Sequence, residues 1–132
     1  MSEVRVTTLK DTSGSNSSTT AEIASGRAKA WVNFNGNGVV SARASFNVNS
    51  MTDNGVGNYT VNLSSGLADT NAAVLVSSGG MDTGAVVSFQ ALGSYNSSTN
   101  FILSTTQIRV YQNTNNAVTQ TDPHFFCVAA FR

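Results

Sequence analysis

Apolar and polar side chains alternate with a period of two through much of the chain, the pattern of strands with one covered face. Ala28, Ala30, Val32 and Phe34 fall in one phase, with Lys29, Trp31 and Asn33 in the other. Asn35-Gly36-Asn37-Gly38 then predicts a tight hairpin turn, because Asn and Gly tolerate positive φ. A second strand follows, with Val40, Ala42, Ala44, Phe46 and Val48 as its apolar face and Ser41, Arg43, Ser45 and Asn47 facing away. Asp53-Asn54-Gly55-Val56-Gly57-Asn58 is another turn signal, and Tyr59, Val61 and Leu63 come into phase after it. Further strands are expected at 72–77, 85–92, 101–104, 107–112 and 125–131.

Ahead of this region, Val4, Val6 and Thr8 share one face of a short first strand. Residues 10–27 break the alternation with a polar, low-complexity stretch, which predicts a flexible arm or long loop. The nearest approach to helical spacing, residues 19–30, is interrupted by Gly26. Pro123, the single proline, precedes the last strand and fits a turn. The pattern predicts an all-β chain: a single compact antiparallel β-sandwich or jelly-roll-like domain over 28–132, preceded by an N-terminal strand and polar arm over 1–27.

Composition sharpens this picture. With 132 residues the chain is expected to build one core. Charged residues are only 11%, against about 25% in an average globular protein. Asn, Ser, Thr and Gly carry the polarity instead, and these residues favour turns and strand surfaces over helix interiors. Seven basic and seven acidic side chains cancel, so no general field draws in nucleic acid or an anionic membrane. No apolar run approaches the ~20 residues of a membrane span, and the opening residues 1–6 lack the sections of a signal peptide. The expectation is synthesis in a cytoplasm, with no membrane insertion and no nucleic-acid partner.

Candidate chemistry is sparse. Cys127 is the one cysteine and His124 the one histidine. Cys127 lies in an apolar run and is expected to be a buried thiol acting as a small hydrophobe. No serine lies in a Gly-x-Ser-x-Gly elbow, and Asp53, Asp69, Asp82 and Asp122 all fall in predicted turns with no assignable acid–base partner. Asp53-Asn54-Gly55 with Asn58 has oxygens for a calcium ion, but a plain turn explains it better. Gly36, Gly38, Gly55, Gly57, Gly79 and Gly80 precede no Lys-Ser or Lys-Thr and read as hairpin punctuation rather than a phosphate cradle. No catalytic residue, cofactor or metal is expected.

Two features point outward. Trp31 sits in the polar phase of its strand, and the run from Phe125 to Phe131 is apolar in both phases, so it must be central in a sheet or covered by a neighbour. Trp31 either fills a second layer within the same domain or is buried against a neighbouring subunit, and on the second reading Trp31, Phe125 and Phe131 are the candidate subunit-interface residues. Tyr95 and Tyr111, each close to asparagines, are candidate glycan contacts.

The segment from Ala28 to Gly38, with Ser45-Phe46-Asn47-Val48 and the stretch from Asp53 to Leu63, resembles a block in small virion structural and tail-fibre-type proteins of marine tailed bacteriophages, including those of cyanobacteria. The opening Ser2-Glu3-Val4-Arg5-Val6-Thr7-Thr8 is similar too, while residues 64–132 share only the style of short strands. The resemblance implies a non-enzymatic protein on the exterior of the virion, self-associating as a homotrimer. Its place would be that of a fibre-type subunit for host attachment or of a capsid-decoration protein, seated on the major capsid or a tail protein. A carbohydrate-binding module contacting host surface glycans is the alternative, and a polysaccharide hydrolase ranks below both.

Overall fold

A computed structural model describes residues 2–79, 89–92, 102–114 and 122–132. The elements are β1 (Thr8–Lys10), β2 (Ser17–Thr19), α1 (Thr20–Gly26), β3 (Ala28–Asn35), β4 (Ser41–Phe46), β5 (Val48–Asp53), β6 (Asn58–Leu63), β7 (Ala73–Gly79), β8 (Phe89–Leu92), β9 (Ile102–Ser104), β10 (Gln107–Thr114) and β11 (Phe125–Phe131). Every described pairing is antiparallel, so the all-β expectation holds. One sheet has the order β4-β3-β11-β7, a second β5-β6-β10-β8 with β9 also on β10, and β1-β2 form a separate ribbon. The doubly apolar last strand is thus interior to its sheet, hydrogen-bonded to β3 on one side and β7 on the other.

The core collects the inner phases of both sheets. Ala30, Val32 and Phe34 of β3 stand opposite Ala130, Val128 and Phe126 of β11. All six are buried together with Tyr59, Val61 and Leu63 of β6, Ile108 and Val110 of β10, and Leu67. Phe34 stacks on Phe126 with ring centroids 5.2 Å apart, and Tyr59 meets both rings edge-on at 5.1 and 5.8 Å. A buried phenol needs a polar partner. The Tyr59 hydroxyl lies 2.7 Å from Asp122 Oδ1 and 3.0 Å from the Gly36 carbonyl. Asp122 Oδ1 also accepts the Gly57 N–H at 2.7 Å, and the Gly36 N–H donates to the Pro123 carbonyl at 2.9 Å. Burial first, and then the Asp122 carboxylate, push the Tyr59 phenol well above its ordinary range. It stays a neutral donor that ties the turn after β3, the start of β6 and the approach to β11 into one knot.

The second strand read from sequence is two strands. Asn47 has φ 56, a left-handed conformation that Asn tolerates better than most residues. Its side chain holds the corner: Nδ2 donates to the Lys29 and Ser65 carbonyls at 2.9 and 3.0 Å, and Oδ1 accepts the Ser65 N–H at 2.8 Å. Before Asn47 the chain pairs as β4 with β3, and after it as β5 with β6. A register shift between Asn33 and Phe34 places Ala42 opposite Phe34, but Ala44 opposite Asn33 and Phe46 opposite Trp31. Residues 40–48 therefore share no single covered face, and all six residues of β4 are exposed.

Residues 10–27 also depart from the expected loop, since they contain most of the β1–β2 ribbon and α1. The helix starts on a reciprocal cap: Thr19 Oγ1 accepts the Glu22 N–H at 3.1 Å, and Glu22 Oε2 accepts the Thr19 N–H at 2.7 Å. In the ribbon's turn, the Asp11 carboxylate accepts from Asn16 Nδ2 at 2.7 Å, Ser13 Oγ at 2.9 Å and the Ser15 N–H at 3.0 Å. The Asn16 and Ser13 bonds hold its pKa below the usual carboxylate value. Secondary structure is present, but no residue from 2 to 27 is buried.

Arg132, just past β11, grips the loop before β7. Its Nε donates to Asp69 Oδ1 at 2.7 Å, and its Nη2 bonds Oδ2, a two-point pairing. The Arg132 bonds first, and then the Asn71 N–H, lower the Asp69 carboxyl from 3.8 to about 2. A lowered folded-state pKa means that the contribution is present above the unfolded value and is lost as pH falls through the folded one. Thermal melts of the native chain are therefore expected to lose a small increment between roughly pH 4 and pH 2, and Asp69→Asn to flatten that part of the profile. Because the pair is partly exposed, salt should weaken it. Identical acid profiles for the two proteins would remove Asp69 from the account.

Candidate functional site

The outward phase of the β4-β3-β11-β7 sheet differs sharply from a usual solvated surface. Phe46, Trp31, Ala129 and Leu75 stand opposite one another across the four strands, and Ala44, Asn33, Cys127 and Ser77 form the next row. Directly opposed residues share a face, so the first row is a continuous apolar band across the sheet. Trp31 is 40% exposed and Leu75 59%, with Phe46 and Phe125 about as open. The Arg43 guanidinium lies 4.4 Å over the Phe125 ring, a cation–π contact at the rim of the band.

Relief on this face follows from residue size. The interior strand β11 turns only Cys127 and Ala129 outward here, while β3 presents Trp31 and β7 presents Leu75. The result is a groove of about 370 Å³ lined by those residues with Asn33 and Ser77. Asn33 Oδ1 has no hydrogen-bond partner although it is buried.

The outer face of the second sheet is the opposite in kind. Asn62 Nδ2 donates to Ser50 and Thr52 hydroxyls at 3.2 and 3.1 Å, Gln107 Nε2 donates to Asn62 Oδ1 at 3.0 Å, and Arg109 Nε donates to Asn58 Oδ1 at 3.1 Å. These side chains satisfy one another in a ladder open to water. Among the described strand residues of these two sheets, the large exposed apolar side chains lie on the outer face of the β4-β3-β11-β7 sheet.

Each sequence-predicted residue has a definite place. Trp31 and Phe125 lie on the outward apolar face, and Phe131 is in the same phase of β11, half-buried and opposite Ala73 and Ala28. Tyr111 sits on the polar face of β10, half-buried with the Arg109 guanidinium 5.3 Å from its ring. Tyr95 lies outside the described residues. Cys127 corrects the expectation of a core thiol: it is half-buried on the floor of the outward groove. Pro123 is fully buried.

The described carboxylates have structural duties. Glu3 pairs with Arg5, Asp11 closes the ribbon turn, Glu22 caps α1, Asp69 holds Arg132 and Asp122 holds Tyr59 and Gly57. Asp53 Oδ1 accepts the Gly55 N–H at 2.9 Å, the Asx-turn role that its sequence context predicts. Among the described residues, no three His, Cys, Asp or Glu side chains gather as a metal site. Asp82 lies outside them.

Three features of the structure have little or no trace in the sequence pattern. For Leu75 the signal is its context, since Val74-Leu75-Val76 is apolar in both phases. Phe46 falls in the inward phase of the sequence pattern but stands outward opposite Trp31, because a register shift leaves no compositional trace. Gln112 is fully buried, with Oε1 accepting from Ser78 Oγ and Nε2 unpartnered; nothing in the sequence marked it.

No protein-family model, curated protein or solved structure matches the chain.

Proposed function

We propose that this chain is a non-enzymatic structural subunit on the exterior of a bacteriophage particle, and that it works by self-association through the outer face of its four-stranded sheet. The carrying observation is the contrast between the two outer faces: one is a hydrogen-bonded polar ladder, the other a band of Phe46, Trp31, Ala129 and Leu75. Contiguous apolar surface of this kind marks an interaction site. The sequence resemblance of residues 28–63 supplies the virion setting, where a fibre-type or capsid-decoration subunit would associate as a homotrimer and seat on a major capsid or tail protein. A glycan-binding role has less behind it, because Tyr111 is half-buried and its ring is accompanied by Arg109.

Sedimentation velocity at micromolar concentration tests the self-association. The native chain is expected well above its 13.8 kDa monomer mass. Leu75→Asp places a charge in the band, and such a charge is costly to bury in an interface. It should return the protein to monomer with an unchanged strand signal in circular dichroism. A native chain that remains monomeric overturns the proposal. A density map of the intact particle, with this fold on head lattice or tail, tests the setting.

A further inference from the structure

Resting on that reading, we propose that the β11 groove of one copy is filled by the N-terminal segment of a second copy, with Val6 over Cys127 and Val4 over Ala129. Two unpartnered apolar features in one chain call for cover. The first is the groove between Trp31 and Leu75. The second is the segment itself: Val4 is 87% exposed, and Val6, Leu9 and Ile23 are also open to water. A ribbon of two three-residue strands and a seven-residue helix is too short to be held by its own hydrogen bonds in water. With nothing in residues 2–27 buried, the segment gains its stabilisation elsewhere.

Area decides between a bare face-to-face pair and an exchanged segment. Four strands spaced at about 4.8 Å and some six residues long give a sheet face on the order of 20 by 20 Å, near 400 Å². A stable pair buries about 800 Å² per partner. The face alone therefore falls short by roughly half. When each copy both gives a segment and receives one, the area buried per copy counts the groove and the segment together and so exceeds what the groove contributes alone.

Spacing and polarity fit the same occupant. Val4 and Val6 share one side of an extended chain, about 6.6 Å apart, and successive outward residues of a strand such as Cys127 and Ala129 have the same separation. Glu3 and Arg5 occupy the other phase and pair with each other at 3.1 Å in the open, so they stay in water when the valines turn inward. The groove lining contains no charged residue. The segment leaves the body at the rim of the apolar face, where Lys29 Nζ bonds the Ala24 carbonyl at the end of α1. Giving to one neighbour and receiving from another is a head-to-tail contact, which forms a ring when the rotation between neighbours closes and a filament when it does not.

Cross-linking of the full chain tests this. Val6→Cys changes an exposed position, and Cys127 is native. Under mild oxidation most of the variant is expected to shift from 13.8 kDa to multimers on a non-reducing gel, with peptide mapping joining position 6 to Cys127 of a different copy. Adding Cys127→Ala should abolish that ladder. A link between two Cys127 residues, between two position-6 residues, within one chain, or no link at all overturns the segment exchange. If the native chain still sediments as an oligomer, self-association through the face survives that result; if it sediments as a monomer, both readings fall.

Discussion

Phe126→Ala is expected to cost about 3–5 kcal/mol, a large fraction of a total stability on the order of 5–15 kcal/mol. Phe126 is fully buried, stacks on Phe34 and meets Tyr59 edge-on. The three rings join an interior strand of one sheet to the inner face of the other, so deletion opens a cavity that no single strand can collapse into. Urea unfolding should show the midpoint falling with little change in slope. The neighbouring Phe125→Ala is the control, since Phe125 is half-exposed on the opposite phase. Its cost to the fold should stay near 0.5 kcal/mol, with the effect appearing in association instead. Comparable losses at both positions would contradict the assignment of inner and outer phases.

Gly36→Ala should cost more than Gly38→Ala, at about 2–4 kcal/mol from overpacking and a broken buried hydrogen bond together. A Cβ there would lie 2.5 Å from the Tyr59 hydroxyl oxygen, 2.9 Å from its Cζ and 3.0 Å from Pro123 Cδ. Tyr59 and Pro123 are both fully buried, so neither can swing aside. Displacing the phenol also loosens Asp122, which holds the Gly57 N–H. Gly38→Ala is the comparison: its φ is +68 but nothing lies within 4 Å, and the strain alone costs about 1–2 kcal/mol. In a Tyr59→Phe background the Gly36→Ala cost should shrink, because the closest atom is gone, and the difference is the coupling between the two sites. Equal cost in both backgrounds would sink the contact as its cause.

These glycines show where sequence stops informing. Asn35-Gly36-Asn37-Gly38 marks a turn, and a turn is there, with positive φ at Gly38. Gly36 is needed for another reason, the approach of a ring 23 residues away, which no local pattern records. Alternation located β3 and β6 with their buried phases, because a strand between two neighbours holds one phase along its length; it located β11 as a strand, but that run is apolar in both phases, which gave no buried side and left Cys127 on the wrong one. It failed over 40–48, where a register shift and a left-handed Asn47 reverse the phase and then change sheets. Neither event alters the spacing of apolar residues. The cap of α1 was readable as Thr19-x-x-Glu22, but a seven-residue helix with no buried side leaves no apolar periodicity to accompany it.

The site was legible in the same proportion. Trp31 and Phe125 stood out because a large aromatic in the wrong phase of a covered strand must meet something. Their partnership with Phe46 and Leu75 depends on which residues stand opposite across three strand pairs, and register is set by bulges and turns rather than by composition.

Two described sheet faces of unequal wettability give the body a built-in up and down. A layer assembled through the proposed apolar face would turn the amides and hydroxyls outward, with little fixed charge to screen. Adhesion of such a coat to other surfaces should then vary little between fresh water and brine.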